Sequence, residues 1–89
     1  MAEPVRVELT YEMGKELGVP GFEVDDAATV ADVVTAARER FGERAEQFAQ
    51  LGRVANVAVN GVLVTHRKGM KTALRPGDRV TFVKAAAGG

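Results

Sequence analysis

The residues best suited to chemistry are the last six of the sequence, Lys84-Ala85-Ala86-Ala87-Gly88-Gly89. They have almost no side-chain volume, and glycine loses more conformational freedom on ordering than any other residue. Such a segment is poorly suited to stabilising a fold, but it can enter a space that is too narrow for a Cβ atom. Fully extended, it reaches roughly 20 Å at about 3.3 Å per residue. We therefore expect the carboxylate of Gly89 to be the reactive group and the folded domain to present it to the active site of another protein.

Other side chains offer little chemistry. The sequence has no cysteine, so it has no disulfide, thiolate nucleophile or zinc-thiolate site. His66 is the single histidine and has no evident carboxylate partner in sequence, which favours a solvated loop residue over a metal ligand. No phosphate-binding loop of the form GxxxxGKS or GxxxxGKT is present, so the chain offers no recognisable nucleotide site of that kind. We predict no metal site, no bound cofactor and no catalytic residue in this chain.

Composition restricts the class of protein further. With 89 residues, of which 46% are hydrophobic and 27% charged, the chain is expected to form one small soluble domain. Twelve basic and twelve acidic residues cancel, which argues against nucleic acid or an anionic membrane as partner. No apolar run approaches membrane-spanning length, and the first residues lack the apolar region of a signal peptide. We expect a cytoplasmic protein.

Hydrophobic periodicity predicts the strands. Apolar and polar residues alternate from Val5 to Glu12, which predicts a strand with Tyr11 on its buried face. Residues 13–21 contain three glycines and a proline and are predicted to form a loop. Further strands are predicted at residues 22–25, 54–59, 62–64 and 79–83. Asn60-Gly61 predicts a hairpin turn, and Pro76-Gly77 predicts a type II turn.

Two helices are predicted between the second and third strands. Thr29 is a candidate N-cap with Asp32 three residues later, and the apolar stripe that follows extends to Phe41. Gly42 is expected to end this helix. Residues 43–51 predict a second, shorter helix. Residues 65–71 are polar and basic and are expected to form a loop, and Leu74 is expected to fill part of the core.

The predicted order is β-β-α-short helix-β-β-turn-β, followed by the tail. One amphipathic helix and one sheet with a single apolar face predict a two-layer α+β domain. The first and last strands have the alternation of central strands, and their pairing in a mixed sheet, with one main helix on one face, would give the β-grasp arrangement of ubiquitin. We predict a β-grasp domain at residues 1–83 and a flexible tail at residues 84–89.

Several short motifs then resemble a known family in the expected order along the chain. They follow the first strand, open the main helix, form the third strand, precede the last strand and end the sequence: Lys15-Glu16-Leu17-Gly18, Ala28-Thr29-Val30-Ala31-Asp32-Val33-Val34, Asn56-Val57-Ala58-Val59-Asn60-Gly61, Pro76-Gly77-Asp78-Arg79-Val80 and Gly88-Gly89. This set resembles the ubiquitin-like sulfur carrier proteins. That family includes the small subunit of molybdopterin synthase, the thiamine sulfur carrier and the cysteine-synthesis carriers of actinobacteria.

The resemblance implies chemistry at one group of atoms. A ubiquitin-activating-like adenylyltransferase would adenylate Gly89 with ATP, and a sulfur donor would then displace AMP to leave a C-terminal thiocarboxylate. A sulfur-acceptor enzyme, either the molybdopterin synthase large subunit or an equivalent synthase, would receive the sulfur. Gly88, Ala87 and Ala86 would enter the active site of the partner. The chain itself would be a carrier or a non-catalytic subunit, not an enzyme.

Several alternatives remain open from the sequence. The molybdopterin synthase small subunit usually has prolines before its Gly-Gly end, whereas this chain has Lys84-Ala85-Ala86-Ala87, and its basic loop resembles the cysteine-synthesis carriers slightly better. A carrier for cysteine, thiamine or secondary-metabolite sulfur is therefore the second candidate. A protein modifier joined through Gly89 to lysines is the third, and a plain β-grasp interaction module with an irrelevant tail is the fourth.

A partner must also dock on the folded body. The candidates are the apolar positions Ala58, Leu63 and Val83 on the exposed face of the sheet, the basic loop residues Arg67 and Lys68, and Lys84 at the start of the tail. Basic side chains can pair with an acidic partner surface, and a small apolar patch on a sheet can form the centre of an interface.

Overall fold

The computed structural model describes residues 3–53 and 55–84, which form a five-stranded mixed sheet with helices on one face. The strands are β1 (Val5–Glu8), β2 (Gly21–Val24), β3 (Ala55–Val59), β4 (Val62–Leu63) and β5 (Arg79–Lys84), in the spatial order β2-β1-β5-β3-β4. The first and last strands pair in parallel at the centre, and the other neighbours are antiparallel. The predicted β-grasp architecture is therefore confirmed.

The main helix, α2 (Val30–Phe41), begins at the predicted cap. The Thr29 hydroxyl accepts a hydrogen bond from the backbone N–H of Asp32 at 3.3 Å, and the Asp32 carboxylate accepts one from the N–H of Thr29 at 3.1 Å. A cap of this kind stabilises a helix by about 1 kcal/mol. Its apolar stripe includes Val33 and Ala37, which are completely buried beneath the sheet together with Val7 and Val80 of the two central strands.

The region after β1 differs from the prediction. The strand ends at Glu8, and residues that we predicted as strand and loop form a helix, α1 (Tyr11–Leu17). The Thr10 hydroxyl caps this helix by accepting a hydrogen bond from the N–H of Met13 at 3.0 Å. The buried side chains of Met13 and Leu17 are four residues apart, which is one helical turn. Tyr11 is consequently 83% exposed rather than buried, because the helix turns its side chain away from the core.

The shorter helix, α3 (Ala45–Arg53), follows a single 3₁₀ turn at Gly42–Arg44 and is close to the predicted range. It buries Phe48 in a chain of aromatic rings that contains all four phenylalanines of the sequence. The ring centroids of successive pairs lie 5.5 to 5.7 Å apart along Phe22, Phe41, Phe48 and Phe82. Because these rings come from β2, α2, α3 and β5, the cluster fixes both helices to the sheet.

Both predicted turns are present. Asn60 and Gly61 have φ angles of 49° and 87°, which is the left-handed geometry of a type I′ hairpin. Gly77 has a φ of 83°, and the N–H of Asp78 donates a hydrogen bond to the carbonyl of Arg75, as in a type II turn. Val64, which we predicted to end the fourth strand, instead begins a 3₁₀ turn at Val64–His66. A second 3₁₀ turn lies within the predicted loop, at Gly69–Lys71, and Leu74 is buried as predicted.

Candidate functional site

The central strand β5 carries the chain to one end of the sheet. Val80 and Phe82 point into the core, and Lys84 is exposed opposite Ala55 of β3. Because β1 runs parallel to β5 and β3 runs antiparallel to it, the end of β1, the end of α3 and the end of β5 meet at the same end of the sheet. The predicted reactive segment, Ala86, Ala87, Gly88 and Gly89, follows this point and lies outside the described residues.

The structure brings three predicted docking residues onto the face of the sheet that the helices leave open. Leu63 pairs with Ala58 across β3 and β4, and both line a shallow depression together with Val83 of β5. Leu63 and Val83 are half-buried, whereas Ala58 is only 5% exposed and forms the floor. We call Ala58, Leu63 and Val83 the open-face patch; it adjoins Lys84 through Val83.

Charged and polar side chains continue the open face toward β1. The Arg79 guanidinium lies 3.5 Å from a carboxylate oxygen of Glu8, and the Thr81 hydroxyl lies 3.4 Å from the same oxygen. Exposed ion pairs of this kind contribute about 0 to 1 kcal/mol. Glu8 therefore has specific partners on the neighbouring strand, although no acid or base chemistry is indicated.

The start of β5 is held by a network that the sequence did not reveal. The Asp78 carboxylate accepts hydrogen bonds from the N–H of Arg75 at 2.8 Å and from the Asn60 side chain at 3.0 Å. The backbone N–H of Arg75, then the Asn60 amide, hold the pKa of Asp78 below its usual range. The side-chain oxygen of Asn60 in turn accepts a hydrogen bond from the N–H of Arg79 at 2.9 Å. This network joins the hairpin turn to the first residue of β5.

The predicted basic residues do not lie beside Lys84. Arg67 is close enough to Asp78, at the start of β5, for its charge to help lower the pKa of that carboxyl group. The six residues of β5 place its start about 17 Å from its end at roughly 3.3 Å per residue. Arg67 and its sequence neighbour Lys68 therefore belong to the end of the sheet away from the tail. These two residues belong to a basic stretch of the sequence, since residues 54–77 have no carboxylate and contain His66, Arg67, Lys68, Lys71 and Arg75.

An apolar cleft of about 370 Å³ lies beside the end of β5, on the helix side of the sheet. The start of α1, the end of α3 and the last residues of β5 surround it, and its lining includes Tyr11, Met13, Leu51, Phe82 and Lys84. We missed this site because we assigned Tyr11 to a strand. The sequence does contain a pattern that indicates this helix: Thr10 can act as an N-cap, and Met13 and Leu17 follow at helical spacing. With α1 assigned, Tyr11 would have been placed on a helix beside the end of the sheet.

Neither a metal-binding cluster nor a membrane-spanning helix is found in the part of the chain that the structure describes. In residues 3–53 and 55–84, no group of three or more His, Cys, Asp or Glu side chains could hold a metal ion. Over the same residues, every helix is too short or too polar to span a bilayer.

Solved structures with the same fold identify the class. The solution structure of small archaeal modifier protein 1 from Methanosarcina acetivorans matches with a TM-score of 0.77 and 19% identity, covering 100% of this chain and 99% of that one. A Pyrococcus furiosus protein assigned as molybdopterin converting factor subunit 1 matches with a TM-score of 0.68 and 23% identity, covering 96% of this chain and 100% of that one. The fold is that of the ubiquitin-like β-grasp proteins.

Sequence comparison identifies the family within that class. Residues 16–89 match the model of the ThiS family. Small archaeal modifier protein 3 from Haloferax volcanii is 41% identical over 69 residues, which cover 74% of this chain and 75% of that protein. The chain belongs to the ThiS family of ubiquitin-like proteins, which confirms the predicted membership of the sulfur carrier group.

Proposed function

We propose that this protein is a sulfur carrier whose Gly89 carboxylate is activated by a partner enzyme and converted to a thiocarboxylate. The carboxylate would attack the α-phosphorus of ATP and release pyrophosphate, giving an acyl-adenylate. Hydrosulfide, or a sulfur donor that delivers it, would then attack the acyl carbon and displace AMP. The observation that carries this proposal is the match to the ThiS family, which extends to Gly89.

The geometry of β5 supports this role. The strand lies between β1 and β3, and its Phe82 side chain packs in the aromatic cluster. Its last residue, Lys84, is exposed. Residues 85–89 would reach about 17 Å when extended, at roughly 3.3 Å per residue. The folded domain thus provides a rigid base from which a narrow segment can be inserted into the active site of another protein, and the chain itself need not be an enzyme.

The identity of the sulfur acceptor is a separate part of the proposal. The first acceptor to test is the large subunit of molybdopterin synthase, since a structural neighbour carries the name of a molybdopterin converting factor subunit. A cysteine, thiamine or secondary-metabolite pathway is the alternative. Three alanines before Gly-Gly support this alternative, because they lack the rigid, extended backbone that prolines would supply.

A second candidate function is that of a protein modifier. The relative that is 41% identical is named as a small archaeal modifier protein. A modifier would use the same adenylate, but the amine of a lysine on another protein would displace AMP and form an amide bond. The two functions therefore share the activation of Gly89 and differ only in the nucleophile that follows.

The open-face patch is a proposed docking surface for the activating enzyme. Leu63 and Val83 present half-buried apolar side chains on a face that the helices leave uncovered, and Val83 directly precedes Lys84. Arg67 and Lys68 would contact a more distant part of a partner, because they lie toward the start of β5. A charged substitution such as Leu63→Asp should therefore weaken activation more than Lys68→Gln.

Intact mass spectrometry separates the candidate functions. Incubation with the activating enzyme, ATP and a sulfur donor should add the mass difference between sulfur and oxygen to a carrier. A modifier should instead appear in conjugates of higher mass that survive reducing agent, since an amide bond resists thiols. A variant that lacks Gly88 and Gly89 should give neither product, whereas an interaction module would keep its binding partner without those residues.

A further inference from the structure

We propose that the cleft beside the end of β5 is a second contact site for the enzyme that activates Gly89, and that it receives an apolar side chain of that enzyme. The inference rests on the proposed function, since it concerns the partner that uses Gly89. The enzyme would then contact both faces of the sheet: the open-face patch on one face and this cleft on the helix side.

The lining of the cleft favours an apolar occupant. Leu51 and Ala55 are half-buried, and Phe82 forms part of the floor. Tyr11 stands at the cleft with 83% of its surface exposed, although it is a large aromatic residue. Tyrosine is enriched among the residues that contribute most to binding energy, because it buries a large area with few rotatable bonds. Water that fills an apolar cleft of about 370 Å³ would be released when a partner side chain enters.

The reach of the tail determines which partner contacts this cleft. Lys84 is both a lining residue of the cleft and the last residue before positions 85–89. Since that segment spans at most about 17 Å, an enzyme that holds Gly89 in its active site must approach Lys84 closely. Val83 lines both the cleft and the depression of the open-face patch. An enzyme that encloses the end of β5 would therefore contact both surfaces.

The chain's own tail is a less suitable occupant. To enter a cleft that begins at Lys84, the chain would have to reverse direction within Ala85, Ala86 and Ala87. Tight reversals favour glycine, asparagine, aspartate or proline, and the two glycines come only after the three alanines. The sequence is thus better suited to leading the tail away from the domain than to folding it back.

Steady-state kinetics of adenylation by the activating enzyme of the same organism test the inference. Tyr11→Ala should raise the KM for this protein about tenfold, as expected for loss of an aromatic contact at an interface. The effect should fall on KM rather than kcat, because the chemistry takes place at Gly89. Val62→Ala is the matched control: Val62 is 47% exposed, lines neither the cleft nor the depression of the open-face patch, and lies on the opposite face of β4 from Leu63, so this substitution should leave the KM unchanged.

A fluorine label gives a readout independent of activity. Tyr11 is the single tyrosine, so 3-fluorotyrosine would produce one resonance, which should shift when the enzyme binds. An unchanged KM for Tyr11→Ala, or an unshifted resonance, would contradict the inference and leave the proposed function intact. A shift on removing residues 85–89 from the free protein would overturn it in favour of the tail as occupant. Absence of adenylation of the wild-type protein would overturn both.

Discussion

The two ends of β5 are built in different ways. At its start, the Asn60 and Asp78 side chains join a hairpin turn, a type II turn and the N–H of Arg79 by hydrogen bonds. At its other end, residues 82–84 make no side-chain hydrogen bond among the described residues; backbone pairing with β3 and the packing of Phe82 hold the strand there, beside an open cleft. The polar network fixes the register of the strand at one end, and the other end remains accessible to a partner.

The two ends of β5 are therefore suited to different roles: the start stabilises the fold, and the end is available for contact with a partner. Hydrogen bonds at turns depend on the geometry of a few specific side chains, so they are suited to holding a strand in one position. An exposed end flanked by an apolar cleft and the open-face patch is suited to recognition instead. Substitutions at the start of β5 should therefore affect unfolding, and substitutions of exposed residues at its end should affect the partner.

The largest effect on stability is expected from Phe82→Ala. Phe82 is buried and packs edge-to-face on Phe48, so its removal leaves a cavity between β5 and α3 and should lower the free energy of unfolding by about 3 to 5 kcal/mol. Chemical denaturation would measure this. Val83→Ala, on the half-buried neighbour, should cost clearly less; equal losses would show that the end of β5 is not held by the aromatic cluster.

A smaller effect is expected from Asn60→Ala. It removes two hydrogen bonds of the turn network and places alanine at a φ of 49°, so the free energy of unfolding should fall by about 1 to 3 kcal/mol. Asn60→Gly is the control, because glycine tolerates the left-handed backbone but lacks the hydrogen bonds. If the glycine variant is as stable as the wild type, the side-chain network contributes nothing and only the backbone geometry matters.

The same network should make stability depend on pH. The pKa of Asp78 is lower in the folded state than its ordinary value of 3.8, because its carboxylate accepts hydrogen bonds from Arg75 and Asn60. Its stabilising contribution is therefore complete above the unfolded-state pKa and is lost as the pH falls through the folded-state pKa. Unfolding midpoints measured across acidic pH should show that the advantage of the wild type over Asp78→Asn shrinks as the pH falls. An advantage that is constant with pH would contradict this assignment.

The smallest effect on stability is expected from Tyr11→Ala. Because the side chain is 83% exposed, the free energy of unfolding should change by no more than about 0.5 kcal/mol. Thermal unfolding of the variant would test this directly. A large loss would mean that Tyr11 supports α1 itself, and its proposed contact with the activating enzyme would then need the fluorine resonance as its main evidence.

Most of the fold follows from local patterns in the sequence. The Thr29 and Asp32 cap, the Asn60-Gly61 turn and the alternation in β5 each depend on short-range physics and were predicted correctly. Helix α1 was missed because Val5 to Glu12 alternates as a strand would, and only the Thr10 cap and the burial of Met13 and Leu17 favour a helix. Local propensity could not choose between these patterns, and tertiary packing decided the outcome.

The candidate site was predictable only in part. The open-face patch could be predicted because cross-strand neighbours follow from strand alternation, and the structure does bring Leu63, Ala58 and Val83 to one face. The cleft could not, because it needs α1, α3 and β5 to meet at one end of the sheet. The separation of Arg67 and Lys68 from Lys84 likewise depends on the sheet topology, and the predicted roles of the docking residues remain predictions.

The most direct test of the central proposal is the intact mass of the protein after incubation with its activating enzyme, ATP and a sulfur donor. We expect the full-length chain to gain the mass difference between sulfur and oxygen, and a chain lacking Gly88 and Gly89 to gain nothing. If the truncated chain gains the same mass, or if the full-length chain gains none, Gly89 is not the sulfur-carrying residue.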